Sequence, residues 1–111
     1  MNTLTVNGQS VALDKDGYLV ELSDWSPEVA AALATREELE LSPEHWEILE
    51  LLRGFYREFD LSPATRPLIK YTALKLGTDK GNSLHLNRVF KGTPAKLAAK
   101  LAGLPKPTNC L

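Results

Sequence analysis

A chain of 111 residues, 43% hydrophobic and 24% charged, has the composition of one globular domain and is too short for a full dinucleotide-binding fold or a barrel. Its single cysteine excludes an intramolecular disulfide, no run of about 18 apolar residues is present to span a membrane, and Met1–Gly8 lacks the basic-then-apolar order of a signal peptide, so a reducing, cytoplasmic setting is expected. The formal net charge of −1 conceals two poles, since residues 1–60 hold 13 acids and 4 bases whereas residues 61–111 hold one acid and 9 bases.

Thr3–Val6 and Ser10–Leu13 flank Asn7-Gly8, a pair that accepts positive φ at both positions, so a β-hairpin is expected over about residues 3–13. Asp14-Lys15-Asp16-Gly17 reads as a second turn, and Tyr18-Leu19-Val20 as a short extended segment. Beyond residue 24 the chain is helical in pattern. Ser26-Pro27, Ser42-Pro43 and Thr93-Pro94 each set a hydroxyl before a proline, the chemistry of a helix start. The first helix is expected over about 27–37 with Val29, Ala32 and Leu33 inward, and the second over about 43–59. In the second, Ile48, Leu52, Phe55 and Phe59 form a stripe widened by Trp46, Leu49 and Tyr56, which makes it the expected centre of the core. Gly54 inside it costs about 1 kcal/mol against alanine and points to a close backbone contact.

The third helix is expected over about 65–76, with Leu68, Ile69, Thr72, Ala73 and Leu76 inward, ending at Gly77. After the polar turn 78–82, Asn82 or Ser83 caps a fourth helix to about Phe90, burying Leu86, Val89 and Phe90. The fifth runs over about 94–102 with Leu97, Ala98, Leu101 and Ala102 inward, and Gly103 stops it. The expected fold is therefore α+β and mostly α. An N-terminal β-hairpin packs on a small orthogonal helical bundle (about 26–102), the third and fourth helices form a helix-turn-helix-like pair, and the whole is one domain, 1–103. Residues 104–111 make an extended, mobile C-terminal arm, because Pro105 and Pro107 forbid a helix and favour polyproline II.

Cys110, seven residues past Gly103, can reach about 20 Å beyond it on this arm. An exposed thiol so placed reads as a swinging nucleophile that enters a partner's active site, with a tail cysteine of no function as the alternative. His45 and His85 lack metal-ligand spacing, so no metal site is expected. His85 could pair with the thiol if it meets the arm, or either histidine could be structural. Gly77, Gly81 and Gly92 do not fit a phosphate loop, and Glu37-Glu38 lies in a solvated stretch. No cofactor is implied. The basic second half meets a polyanion or an acidic partner surface, or simply solvates helix faces. Arg88 and Lys91, on or just past the second helix of the helix-turn-helix-like pair, lie where a DNA reader would place bases.

Gly92-Thr93-Pro94-Ala95-Lys96, then Ala102-Gly103-Leu104-Pro105-Lys106-Pro107 before a penultimate Cys110, resembles the DsrC/TusE family of sulfur-relay proteins. Gly17-Tyr18-Leu19, Leu41-Ser42-Pro43-Glu44-His45-Trp46, Phe59 to Arg66 and Lys80-Gly81-Asn82-Ser83 extend the resemblance over essentially the whole chain. It implies a hairpin on a helical bundle with a mobile arm whose cysteine carries sulfane sulfur as a persulfide, supported by Gly103, Pro105, Lys106 and Pro107. Members serving dissimilatory sulfite reductase have a second arm cysteine 11 residues before the last, where this chain has Ala99. That departure implies the TusE-like branch, a sulfurtransferase taking sulfur from a TusBCD-like complex and giving it to an MnmA-like tRNA-thiouridylase for 2-thiolation of wobble uridine. Such a carrier is expected to be a monomer alone and to join a hetero-oligomer, with Arg66, Lys70, Arg88 and Lys91 as candidates for docking. A nucleic-acid-binding regulator and a sulfite reductase subunit are the alternatives, the latter disfavoured by Ala99.

Overall fold

The computed structural model describes residues 2–107. In chain order it contains β1 (Asn2–Val6), β2 (Gln9–Leu13), a single 3₁₀ turn (Leu22–Asp24), α1 (Pro27–Arg36), α2 (Pro43–Phe59), α3 (Thr65–Leu76), α4 (Ser83–Val89) and α5 (Pro94–Leu101). β1 and β2 are antiparallel, with Leu4 opposite Val11 and Val6 opposite Gln9. Asn7 (φ 51°) and Gly8 (φ 79°) both take the left-handed region that a two-residue hairpin needs. Leu4, Val11 and Leu13 form the buried face, and β1 packs on α1. The Tyr18–Val20 segment reduces to one bridge, Leu13 to Leu19, after a turn in which Asp14 Oδ1 accepts the N–H groups of Asp16 and Tyr18.

The helix starts fall where proline places them, but the hydroxyls divide in role. Ser26 Oγ accepts Val29 N–H at 3.1 Å, as expected of a cap. Ser42 forms a reciprocal capping box with His45, in which its hydroxyl also lies 2.8 Å from His45 Nδ1 and that nitrogen accepts Ser42 N–H at 3.0 Å. Thr93 makes no side-chain cap bond. Asn82, rather than Ser83, caps α4 by accepting His85 N–H at 2.8 Å. Gly81 closes the α3–α4 turn so tightly that a Cβ there would lie 2.1 Å from Ala73 N, which gives the helix-turn-helix-like pair its close approach.

The core is centred on α2 together with α5, which packs against all four other helices. Pro94, Ala95, Leu97, Ala98, Ala99 and Leu101 are all buried, because small alanine side chains let neighbours approach from every side. On α1 the buried alanines are Ala30 and Ala34, with Ala32 at the edge. Phe59, expected inward, is 47% exposed and stacks 4.6 Å from Phe55. Helical periodicity continued to the end of α2, whereas the body beneath it stops earlier. Gly54 has no close backbone contact among the described residues, since a Cβ there would meet only the tip of Arg57 at 3.7 Å.

Candidate functional site: the root of the thiol-bearing arm

Cys110 lies outside the described residues, and the structure shows how the chain leaves α5 towards it. Gly103 adopts φ +73° and is followed by a paired exit: Gly103 N–H bonds Lys100 O at 3.1 Å and Leu104 N–H bonds Ala99 O at 2.9 Å. This is the hydrogen-bond pattern of a Schellman stop, with buried Leu104 against buried Ala99 as its apolar contact. Gly103 is required twice over, because a Cβ would also come within 2.3 Å of Trp25 Cδ1. The remaining carbonyls at the end of α5 are taken by side chains from far in the sequence. Trp25 Nε1–H donates to Leu101 O at 2.9 Å, and Arg53 donates to Ala102 O at 2.7 Å. Arg53 also stacks 3.9 Å from the Trp25 ring centroid, so each holds the other. Burial first, and then the neighbouring Arg57, hold Arg53 below the ordinary arginine value, although a guanidinium stays charged.

Residues 104–107 carry no regular structure, and they lie against the body. Leu104 is 3% exposed and belongs to the core, a burial worth roughly 2 kcal/mol. Ser62 Oγ–H donates to Pro105 O, Lys106 Nζ sits 3.5 Å from Asp16 Oδ2, and Pro107 is buried. The three residues that follow Pro107 to Cys110, and with them the expected reach of the thiol, lie outside the described residues.

The other candidates divide. Arg66 and Lys70 lie one turn apart on α3, both exposed and with no ion-pair partner among the described residues. Arg88 reaches Glu44 Oε2 at 3.4 Å and donates to His85 Nδ1 at 3.1 Å. Lys91 donates to the carbonyls of Glu37 and Glu38, both at 2.9 Å, and so tethers the end of α1. Both histidines are bound into helix packing, and neither has a described contact with residues 103–107. His45 Nε2–H donates to Val89 O at 2.8 Å, the tautomer that leaves Nδ1 free to accept from Ser42. Among the described residues no group of three or more His, Cys, Asp or Glu is placed to hold a metal ion, and no helix is long and apolar enough to cross a membrane. Trp25, Arg53 and Ser62 had no assigned role in the sequence. The one local hint was an arginine beside Gly54 within an apolar helix.

The profile of the "DsrC like protein" family matches residues 5–111. The chain is 51% identical over 108 residues to the sulfurtransferase TusE homolog of Haemophilus influenzae, covering 97% of this chain and 99% of that one. It is 49% identical, with the same coverage, to sulfurtransferase TusE of Escherichia coli K12. Its fold is similar to DsrC of Allochromatium vinosum (TM-score 0.90, 47% identity, 99% of this chain and 98% of that). It is also similar to the oxidised γ-subunit of dissimilatory sulfite reductase of Archaeoglobus fulgidus (TM-score 0.82, 34% identity, 99% and 100%). A hairpin on five helices, a glycine-stopped α5 with its exit fixed beneath Trp25, and near-complete matches of profile, sequence and fold establish that the chain belongs to the DsrC-like family.

Proposed function

We propose that this chain is a TusE-like sulfurtransferase whose Cys110 carries sulfane sulfur in the cytoplasm from a TusBCD-like donor complex to an MnmA-like tRNA-thiouridylase, for 2-thiolation of wobble uridine. The observation that carries the reading is the absence of a second thiol. Ala99 occupies the position of the other arm cysteine and is fully buried under the arm root, and Cys110 is the sole cysteine of the sequence. Relatives near 50% identity over almost the whole chain bear the sulfurtransferase TusE name, which supports the relay over a sulfite reductase subunit.

The Cys110 thiolate attacks the outer sulfur of a donor persulfide. One S–S bond forms, the donor's S–S bond breaks, and the donor leaves as a thiolate, so sulfur moves without an external oxidant. The acceptor's thiolate then repeats the attack on Cys110–S–SH. A second thiol within reach would attack the inner sulfur and expel hydrosulfide, so a single-cysteine arm keeps its cargo. A DNA-reading role draws little from α4, which has seven residues and an Arg88 that already contacts Glu44 and His85.

Intact-mass measurement tests the proposal. Incubation with the donor is expected to add one sulfur to Cys110, and Cys110→Ser is expected to abolish both that gain and tRNA thiolation. Thiolation that survives Cys110→Ser overturns it.

A further inference from the structure

Gly54 is unexplained by anything among the described residues. It is not among the residues at positive φ, and nothing but the tip of Arg57 lies within 4 Å of a Cβ placed there. A glycine in the middle of a helix nonetheless costs about 1 kcal/mol. Gly54 sits on the floor of a surface groove of about 710 Å³ that runs along α2, walled by Trp25 on one side and by Tyr71 and Leu76 of α3 on the other. The missing side chain leaves this floor bare at its middle.

The groove is also electrically divided. Arg57, towards the C-terminal end of α2, and Lys75 of α3, whose Nζ lies 5.5 Å from the Tyr71 ring centroid, both line it, and neither has a carboxylate partner among the described residues. Arg53 lies beside Arg57, so the two guanidinia repel each other. Towards the other end, Glu47 pairs with Lys80 at 2.8 Å, and Glu50 is exposed with no cation partner among the described residues. Leu51 lies between the two ends. A polyanion such as RNA would meet Glu47 and Glu50 along the same track, and this argues against it. The span from residue 47 to residue 57 is about 15 Å, or close to three helical turns. An apolar strip between opposite charges matches an amphipathic helix lying along α2.

We infer that the α2 groove docks an amphipathic helix of a protein partner in the sulfur relay, its apolar face over Gly54, an acidic side chain against Arg57 and Lys75, and a basic one against Glu50. The inference rests on the relay reading above. Docking here bears directly on the arm, because Arg53 lines the groove while it donates to Ala102 O, and Trp25 lines it while it covers Gly103. A partner seated in the groove therefore touches the two side chains that fix the arm root.

Two variants of the full chain test this. Gly54→Leu fills the floor, and Arg57→Glu reverses an exposed charge without touching the core. Sulfur loading of Cys110 is followed by intact mass with inorganic polysulfide, which needs no docking, and with the donor complex. Delivery is followed with the thiouridylase and tRNA. Both variants are expected to load from polysulfide at the parent rate and to lose about tenfold in donor loading or in delivery. Parent rates in both protein-to-protein steps overturn the docking site, as does an equal loss with polysulfide, which would place the defect at the thiol. A parent chain that takes no sulfur from the donor or from polysulfide refutes the relay reading itself and removes this inference with it.

Discussion

Gly103 combines two constraints that no other residue type satisfies. Its φ of +73° costs an L-residue about 1 kcal/mol or more, and a Cβ would stand 2.3 Å from Trp25. Gly103→Ala is therefore expected to destabilise the fold by about 2–4 kcal/mol, read as a lower urea midpoint with an unchanged slope. Arg53 gives a second test. Arg53→Met keeps an unbranched stem over Trp25 and removes the donor to Ala102 O, so it is expected to cost about 1–3 kcal/mol. Hydrogen exchange at Gly103 and Leu104 is expected to quicken more than exchange in α1, and uniform quickening would refute a local clamp. The sequence showed Gly103 and the arm motif, because glycine after a helix is local chemistry. It showed nothing of Trp25 or Arg53 as clamps, because their bonds to the end of α5 join residues 76 and 49 positions apart.

At the scale of elements, the starts at Pro27, Pro43 and Pro94 were legible, since proline at a first helical position is pre-set for the helix. The inward face of α5 at Leu97, Ala98, Leu101 and Ala102 was legible too, but its burial at Pro94, Ala95 and Ala99 as well was not, because eight residues rich in alanine look too weak to organise a core until four helices are seen to converge on them. His45 shows how an element start becomes a tertiary tie. It accepts from Ser42 at the head of α2 and donates to Val89 O at the end of α4. His45→Ala leaves a buried Val89 carbonyl and a half-buried Ser42 N–H without these partners and is expected to cost about 2–4 kcal/mol by thermal or urea unfolding. His85 is the contrast. Its Nε2 is buried with no hydrogen-bond partner among the described residues, and Glu44 Oε2 is 3.8 Å away. His85→Leu is expected to stay within about 1 kcal/mol of the parent, since an apolar side chain leaves no orphaned donor.

Across the whole molecule, the acidic and basic halves of the sequence do not stay apart. Among the described residues the ion pairs Glu47–Lys80, Glu44–Arg88, Glu37–Lys100 and Asp16–Lys106 each join an acid from the first half to a base from the second. Folding thus turns a charge asymmetry along the chain into neutral contacts between the turn after the hairpin, the end of α1 and α2 on one side and the later turns, helices and arm root on the other, and leaves Arg66 and Lys70 outward. Exposed pairs of this kind are worth little singly, so their consequence is one of surface: the basic pole read from the sequence is partly consumed. The same interleaving brings Asp16, from the turn after the hairpin, to the arm at Lys106, and Ser62 to Pro105, so the arm leaves a body assembled from both halves. A carrier built this way depends on having one thiol, and Ala99→Cys tests that dependence. The position is fully buried beside Leu104, so the added sulfur is expected to cost about 1–3 kcal/mol by overpacking. Once Cys110 is loaded, the introduced thiolate is expected to attack the inner sulfur of its persulfide, form a disulfide with Cys110 and release hydrosulfide. Intact mass would show the carried sulfur lost together with two hydrogens, and delivery to tRNA would fall in step. A persulfide that survives in Ala99→Cys would instead mean that Leu104 seals this position from the arm, and the two arm-cysteine positions would then differ between the branches of the family in access as well as in chemistry.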